Sequence, residues 1–238
     1  MFRLLNANEI QIRVNQVRSF EKEEQTVVKA SYLLYKDARC DMNILDETVG
    51  PFNWQKSYTR ENANCIVSIY DEKKQEWISK EDTGTESNTE AEKGLASDSF
   101  KRACFNWGIG RELYTAPNIV ITLTEKEFYK KNDKIVPTAN FSVKEIEYKN
   151  REISYLEIVD QQGNTRFVYG QKNNENDFAK AVEELNKLNI SLDDEKVQKW
   201  ISEKSNVDFK NNFNDLEPTS QKKVIAVIYA LIKAKKGK

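Results

Sequence analysis

The chain has 238 residues, of which 39% are hydrophobic and 32% charged, so it can bury the core of one large domain or of one domain with a small appendage. Its 37 basic residues are balanced by 38 acidic ones, giving a net charge of −1, so a nucleic-acid partner would need a local basic groove rather than a generally basic surface. The absence of histidine excludes Ser-His-Asp and Cys-His nucleophile systems and every metal site that contains histidine.

The cysteine pattern and the hydropathy pattern indicate an intracellular protein. Cys40, Cys65 and Cys104 are widely separated and show no C-x-x-C spacing, which is typical of buried, reduced thiols. No apolar run approaches the ~18 residues that a membrane span needs, and the first residues lack the apolar core of a signal peptide. We therefore expect no membrane partner.

The first half of the chain is predicted to form an α+β unit. In chain order the pattern predicts a strand at 11–20, a helix at 37–49 and strands at 53–60, 63–70 and 76–81. The run at 63–70 is apolar on both faces, so we expect it at the centre of an antiparallel meander, with Trp54 and Trp77 in the core. A second helix begins at a capping box of Thr89 and Glu92 and ends at Gly108-Ile109-Gly110.

The second half continues with strands and then becomes helical. A strand is predicted at 118–124, a second meander at 141–148, 152–159 and 166–169, and helices at 177–188, 193–204 and 220–236. The polar stretch 171–176 separates a domain at 1–172 from a small helical domain at 177–238. We expect the stripe of Val224, Val227, Ile228 and Leu231 to form the core of this helical domain rather than a membrane or partner face.

The helix at 93–107 has the most informative surface in the chain. A helical wheel collects Ala96, Phe100, Ala103, Cys104 and Trp107 in one apolar arc of roughly 100°. Lys101, Arg102 and Phe105 lie outside this arc, with the ring between the two cations. Cations beside an exposed aromatic face suit a phosphate backbone with unstacked bases.

Further cations in the same unit are candidate DNA contacts, although a surface cation more often only interacts with solvent. They are Arg39, Lys56, Arg60, Lys93 and Arg111. We interpret Asp41 and Asp46 as part of a solvated helix face rather than as metal ligands, and Asp82 as a turn former. Neither a phosphate-binding loop nor a dinucleotide-binding glycine motif is present, so we expect no cofactor and no covalent catalysis.

Several segments within about 30–117 carry a family resemblance. They are Arg39 with Asn43, Leu45, Glu47, Gly50 and Trp54; Glu81-Asp82-x-Gly84-Thr85; Lys93-Gly94; and Ser97-Asp98-x-x-Lys101-Arg102-Ala103-x-x-x-x-Gly108. In this order and spacing they resemble the single-strand annealing proteins of the Rad-fifty-two type, including the phage Sak-like branch. The resemblance covers a little more than a third of the chain.

The resemblance implies a β-β-β-α core that assembles into rings or arcs. It also implies ATP-independent binding of single-stranded DNA and strand annealing in homologous recombination, in the cytoplasm of a bacterial host cell. In that family the Lys-Arg pair matched by Lys101 and Arg102, and the arginine matched by Arg39, contact the DNA backbone. Phe105 stands where eukaryotic members carry a further arginine. A one-residue length difference between Arg39 and Asn43 weakens the match at Arg39.

Two other functions remain open on the sequence alone. The first is an oligomeric protein-interaction module that does not anneal DNA, and the second is a metal-dependent nuclease using Asp41, Asp46 and Asp82. The helical C-terminal region is expected to dock a partner such as a single-strand-binding protein, or to contact DNA. The basic residues available there are Lys233, Lys235, Lys236 and Lys238. A solvated C-terminal end is the simpler alternative.

Overall fold

The computed structural model describes residues 1–22, 25–85, 91–132 and 134–236, and within these ranges it is an α+β protein with antiparallel sheets and five α-helices. The chain divides into two compact units, Met1–Tyr169 and Gly170–Lys238. The division falls beside the polar stretch predicted at 171–176. The fold class expected from the sequence is confirmed.

The elements alternate along the chain. The strands are β1 (Gln11–Lys22), β2 (Gln25–Tyr35), β3 (Trp54–Thr59), β4 (Asn64–Asp71), β5 (Glu76–Thr83), β6 (Ile119–Leu123), β7 (Phe128–Lys131), β8 (Lys134–Pro137), β9 (Phe141–Lys149), β10 (Glu152–Asp160) and β11 (Thr165–Gly170). The helices are α1 (Ala38–Val49), α2 (Ala91–Asn106), α3 (Glu175–Lys187), α4 (Glu195–Ser205) and α5 (Pro218–Lys236).

The first sheet has the order β1-β2-β6, with both pairs antiparallel. Alternate residues of β2 face the core, since Val28, Ala30, Tyr32 and Leu34 are buried while Lys29 and Leu33 are exposed. A bulge between Val14 and Gln16 interrupts the pairing of β1 with β2. Sequence analysis missed β2, and it did not connect the strand predicted at 118–124 with this sheet.

The second sheet and two helices form the predicted helix–meander–helix arrangement. The Asp37 side chain caps α1 by accepting hydrogen bonds from the backbone N–H groups of Arg39 and Cys40, and α1 ends at Gly50 with φ +85°. The meander has the order β3-β4-β5, so β4 is central as expected. Helix α2 packs on β4 and β5.

The apolar arc predicted for α2 is its buried face. Phe100, Ala103 and Cys104 are fully buried, and the Trp107 Nε1–H donates a hydrogen bond to the carbonyl of Val67 at 3.0 Å. The helix ends at Asn106, and Gly108 adopts φ +95°, which confirms the predicted terminator. The capping residue Thr89 lies outside the described residues.

A third sheet, β11-β10-β9, confirms the second predicted meander, and the hairpin of β7 and β8 was not predicted. Two expectations for single residues are wrong. Trp77 is 43% exposed because it lies beside Tyr70 on the face of the β3-β4-β5 sheet that is turned away from α2. Asp82 is not a turn residue, since it lies within β5.

All three cysteines are buried and free, as predicted. Burial raises the pKa of the Cys65 thiol to about 11 and that of Cys40 to about 12. These thiols are therefore neutral and unreactive at physiological pH.

The C-terminal unit has a hydrophobic core of its own, built from α3, α4 and α5. Val224 and Ile228 are fully buried there, with Val227 and Leu231 packed around them, so the stripe predicted on the last helix is core. Lys233 and Lys235 are exposed, and Lys236 forms an ion pair with Glu184 at 2.7 Å. Lys238 lies outside the described residues.

Candidate nucleic-acid interface

A cavity opens where strand β2 extends beyond strand β6. The pairing of β2 with β6 stops at Tyr32 and Ile119, whereas β2 continues to Tyr35 along β1. The backbone of 33–35 therefore lacks a strand partner on the β6 side. A cavity of about 610 Å³ lies beside this stretch of backbone. Helix α2 and the segment that follows α2 close its other side.

Helix α2 contributes two cations and a ring to this cavity. Lys101, Arg102 and Phe105 all line it. The side chain of Arg102 is 48% exposed, and its Nε lies 3.4 Å from the Asp82 carboxylate. The ammonium of Lys101 is 4.0 Å from the Asp98 carboxylate, at the limit of ion-pair contact, so it can turn towards a bound anion. The three residues that the helical wheel placed together thus share one concave surface.

An aromatic pair lines the cavity beside α2, and Arg111, which does not line the cavity, packs against one of its two rings. The rings of Phe105 and Tyr114 meet edge to face with centroids 4.8 Å apart, and Tyr114 is 75% exposed. The Arg111 guanidinium lies 5.4 Å from the centroid of the Phe105 ring. It also donates hydrogen bonds to the carbonyls of Phe105 and Asn106, which satisfies the C-terminal end of α2. Phe105 is therefore half-buried and held in place, with a second ring beside it.

A buried ion pair supports the wall of the cavity. Lys36 lines the cavity and contacts Asp41, which is fully buried rather than part of the solvated helix face expected from the sequence. Burial raises the pKa of Asp41 to about 6, although the nearby charges of Lys36 and Lys101 act to lower it. Within the described part of the chain, the second oxygen of Asp41 accepts no hydrogen bond.

Gly110 leaves the space that the Lys36 side chain needs. A β-carbon at this position would overlap the Cε atom of Lys36, and the φ of +76° is one that residues with side chains rarely adopt. Gly110, which precedes the short turn at Arg111–Thr115, therefore leaves room for the Lys36 side chain beside the cavity.

Arg13 is a further cation of the cavity, and sequence analysis missed it together with Lys36. Arg13 lies opposite Leu33 in the β1–β2 pair, and its guanidinium is 5.6 Å from the centroid of the Tyr35 ring. Only the register between β1 and β2 brings Arg13 to α2. The available signal was the run of β-branched, aromatic and aliphatic residues along 27–35, which is typical of a strand and could pair with the predicted strand at 11–20.

The other predicted contacts lie away from the cavity or outside what the structure describes. Arg39 is 85% exposed at the start of α1 and pairs with Asp37. Lys56 covers the Phe100 ring at 4.5 Å, and Arg60 is exposed in the turn between β3 and β4. Lys93 belongs to α2, but its side chain is outside the described part.

The cavity has the size and chemistry of a ligand site. Its volume lies within the ~300–1,000 Å³ typical of small-molecule and cofactor pockets. Four cationic side chains and two carboxylates line the cavity, and apolar residues such as Ile109 and Leu113 form the rest of its wall. Such a lining can bind an anionic group at one point and an aromatic base at another.

The three carboxylates of the nuclease alternative are engaged separately. Asp41 contacts Lys36, Asp46 accepts a hydrogen bond from the Trp54 indole, and Asp82 accepts from Asn106 as well as contacting Arg102. Among the described residues, no group of three or more Cys, Asp or Glu side chains is placed to hold a metal ion. No helix in the described ranges is both long enough and apolar enough to cross a membrane.

Comparison of the chain with protein-family models, with curated proteins and with solved structures gives no match in any of the three.

Proposed function

We propose that the protein binds single-stranded DNA in this cavity and anneals it to a complementary strand without nucleotide hydrolysis. The observation that carries the proposal is the meeting of Arg13, Lys101 and Arg102 with the Phe105–Tyr114 pair around one concave surface. Cations bind phosphates, and exposed rings stack with bases that are not already stacked in a duplex.

The ion pairs of the cavity suit a reversible contact with phosphate. Lys101 lies 4.0 Å from the Asp98 carboxylate and Arg102 lies 3.4 Å from that of Asp82, and both contacts are longer than a charge-assisted hydrogen bond. A phosphate group can therefore replace either carboxylate at little cost. Lys36 is different, because its charge is already neutralised by Asp41 in a buried contact.

The resemblance of about 30–117 to annealing proteins of the Rad-fifty-two type supports the same function. It carries the further proposal of a ring or arc of identical subunits acting in homologous recombination. A ring repeats the same cavity, so many modest local charges can line one path even though each chain has a net charge of −1. Annealing needs no covalent step, since duplex stacking of about 1.4 kcal/mol per base step drives it.

Anisotropy of a labelled oligothymidine, measured without ATP, tests the binding step. We expect K101A/R102A to weaken binding by at least about a hundredfold, since each charged hydrogen bond contributes on the order of 1.5 kcal/mol. The matched control is K73A/K74A, which removes two adjacent exposed cations from the turn between β4 and β5. We expect the control to bind like the wild type.

The proposal fails if K101A/R102A folds normally by circular dichroism and retains wild-type affinity at both low and moderate salt. Absence of binding by the wild type would favour the protein-interaction module instead.

A further inference from the structure

The register of the first sheet gathers cations on its outer face. Alternate residues of β1 and β2 lie on the side of the sheet that faces away from the core. Towards the β1–β2 turn, these residues are Arg18, Phe20, Val27 and Lys29. We call these four residues the hairpin face. Arg18 and Lys29 are exposed, and Phe20 is 44% exposed.

The outer side of this sheet is free of carboxylates among the described residues that the register places on it. Its other members are Gln11, Arg13, Gln16, Ser31, Leu33, Tyr35, Val120 and Thr122. No salt bridge between described residues includes Arg13, Arg18 or Lys29. In a chain with 37 basic and 38 acidic residues, this side is a local positive surface.

Arg18 and Lys29 are direct cross-strand partners. Like charges placed opposite each other destabilise a sheet, so the pair opposes folding in the free protein. The Lys29 ammonium lies 5.5 Å from the centroid of the Phe20 ring, and both side chains are exposed. A polyanion bound here would remove the repulsion between the two cations.

The hairpin face is continuous with the cavity. Arg13, Leu33 and Tyr35 line the cavity and also belong to the outer side of the sheet. Lys29 lies four residues before Leu33 on β2, which is roughly 13 Å along an extended strand. A linear polyanion leaving the cavity past Arg13 therefore meets Arg18 and Lys29 next.

We infer that the hairpin face is a second contact segment for the same single strand, with phosphates bound by Arg18 and Lys29 and a base stacked on Phe20. This inference rests on the proposed function, since it extends the path of a strand that the cavity binds. Charge complementarity and an exposed ring beside the cations favour nucleic acid over a second copy of this near-neutral chain.

The salt dependence of oligothymidine binding tests the inference. For single strands each neutralised phosphate contributes about 0.7 to the slope of log K against log salt, so R18Q/K29Q should reduce the slope by about 1.4. F20A should weaken binding about tenfold and leave the slope unchanged, because stacking releases no counterions. The matched control, K73Q/K74Q, should keep the wild-type slope and affinity.

The possible outcomes separate this inference from the function on which it rests. If the wild type binds no single-stranded DNA, the proposed function itself fails. If the wild type binds and K101A/R102A does not, an unchanged slope for R18Q/K29Q overturns the hairpin contact alone. A changed oligomer mass for R18Q/K29Q by light scattering, with an unchanged slope, would assign the hairpin face to contacts between subunits and also overturn the inference.

Discussion

Lys36 and Asp41 bury two opposite charges beside the cavity, with side-chain exposures of 8% and 0%. Removing both charges from water is costly, and the contact between them offsets that cost only while both are present. Burial raises the pKa of Asp41 from 3.8 to about 6. Its ionisation therefore lowers the stability of the folded state as the pH rises through that interval.

Lys36→Met should destabilise the protein by about 3 kcal/mol at pH 7, because it leaves the Asp41 carboxylate buried without its cation. The loss should shrink at pH 5, where Asp41 becomes protonated and neutral. Urea unfolding at the two pH values measures both effects, and the double variant K36M/D41N serves as the control that should recover most of the stability. Equal stability of K36M and the wild type at pH 7 would show that the pair is not a buried charge pair.

The predicted contact residues that line the cavity all belong to a single helix. Lys101, Arg102 and Phe105 are neighbours through helical periodicity alone, so a wheel is enough to group them. Arg13 and Lys36 reach the same cavity only through the pairing of β1 with β2, which is a long-range contact. Asp41 was expected on the solvated face of its helix, because no local sequence pattern indicates that the Lys36 side chain packs against it.

At the scale of elements, Arg166 on β11 connects the third sheet to the segment between β6 and β7. Its guanidinium forms two hydrogen bonds with the Glu127 carboxylate and one with the carbonyl of Thr122. The hydrogen bonds from Arg166 lower the pKa of Glu127 from 4.5 to about 2. A lowered carboxyl pKa contributes stability that is present above pH 4.5 and is lost as the pH falls towards 2.

Glu127→Gln should therefore make stability less sensitive to acid. The wild type should lose roughly 2 kcal/mol more than the variant between neutral pH and about pH 2, after allowance for solvent screening. Urea midpoints measured across this range, with exposed Glu125→Gln as the control, test the prediction. If the urea midpoint of the wild type and that of E127Q fall equally as the pH is lowered, the prediction is contradicted.

The helices and both meanders could be predicted because each has a strong local pattern bounded by glycine, proline or a polar turn. Strand β2 was missed because its outer side also carries Val27, Leu33 and Tyr35, so apolar residues do not alternate simply with polar ones. The hairpin of β7 and β8 is only four residues long on each side, which is too short for a clear period. Pairing between β2 and β6 joins residues that are separated by roughly half the length of unit 1, so it has no local signal.

At the scale of the whole molecule, the net charge of −1 does not describe the surface around the cavity. Arg13 lines the cavity, and the outer side of the first sheet carries Arg13, Arg18 and Lys29. The two compact units each have their own hydrophobic core, and the cavity is built entirely from the first. The proposed DNA path thus needs only unit 1, repeated around an assembly.

Acceleration of duplex formation is the most direct test of the central claim. Two complementary fluorescent oligonucleotides are mixed without ATP, and the rate of annealing is followed by energy transfer with the wild type, K101A/R102A or K73A/K74A. We predict that the wild type and K73A/K74A accelerate annealing, whereas K101A/R102A leaves the rate of spontaneous annealing unchanged. No acceleration by the wild type, or equal acceleration by K101A/R102A, would contradict the assignment of this cavity as an annealing site.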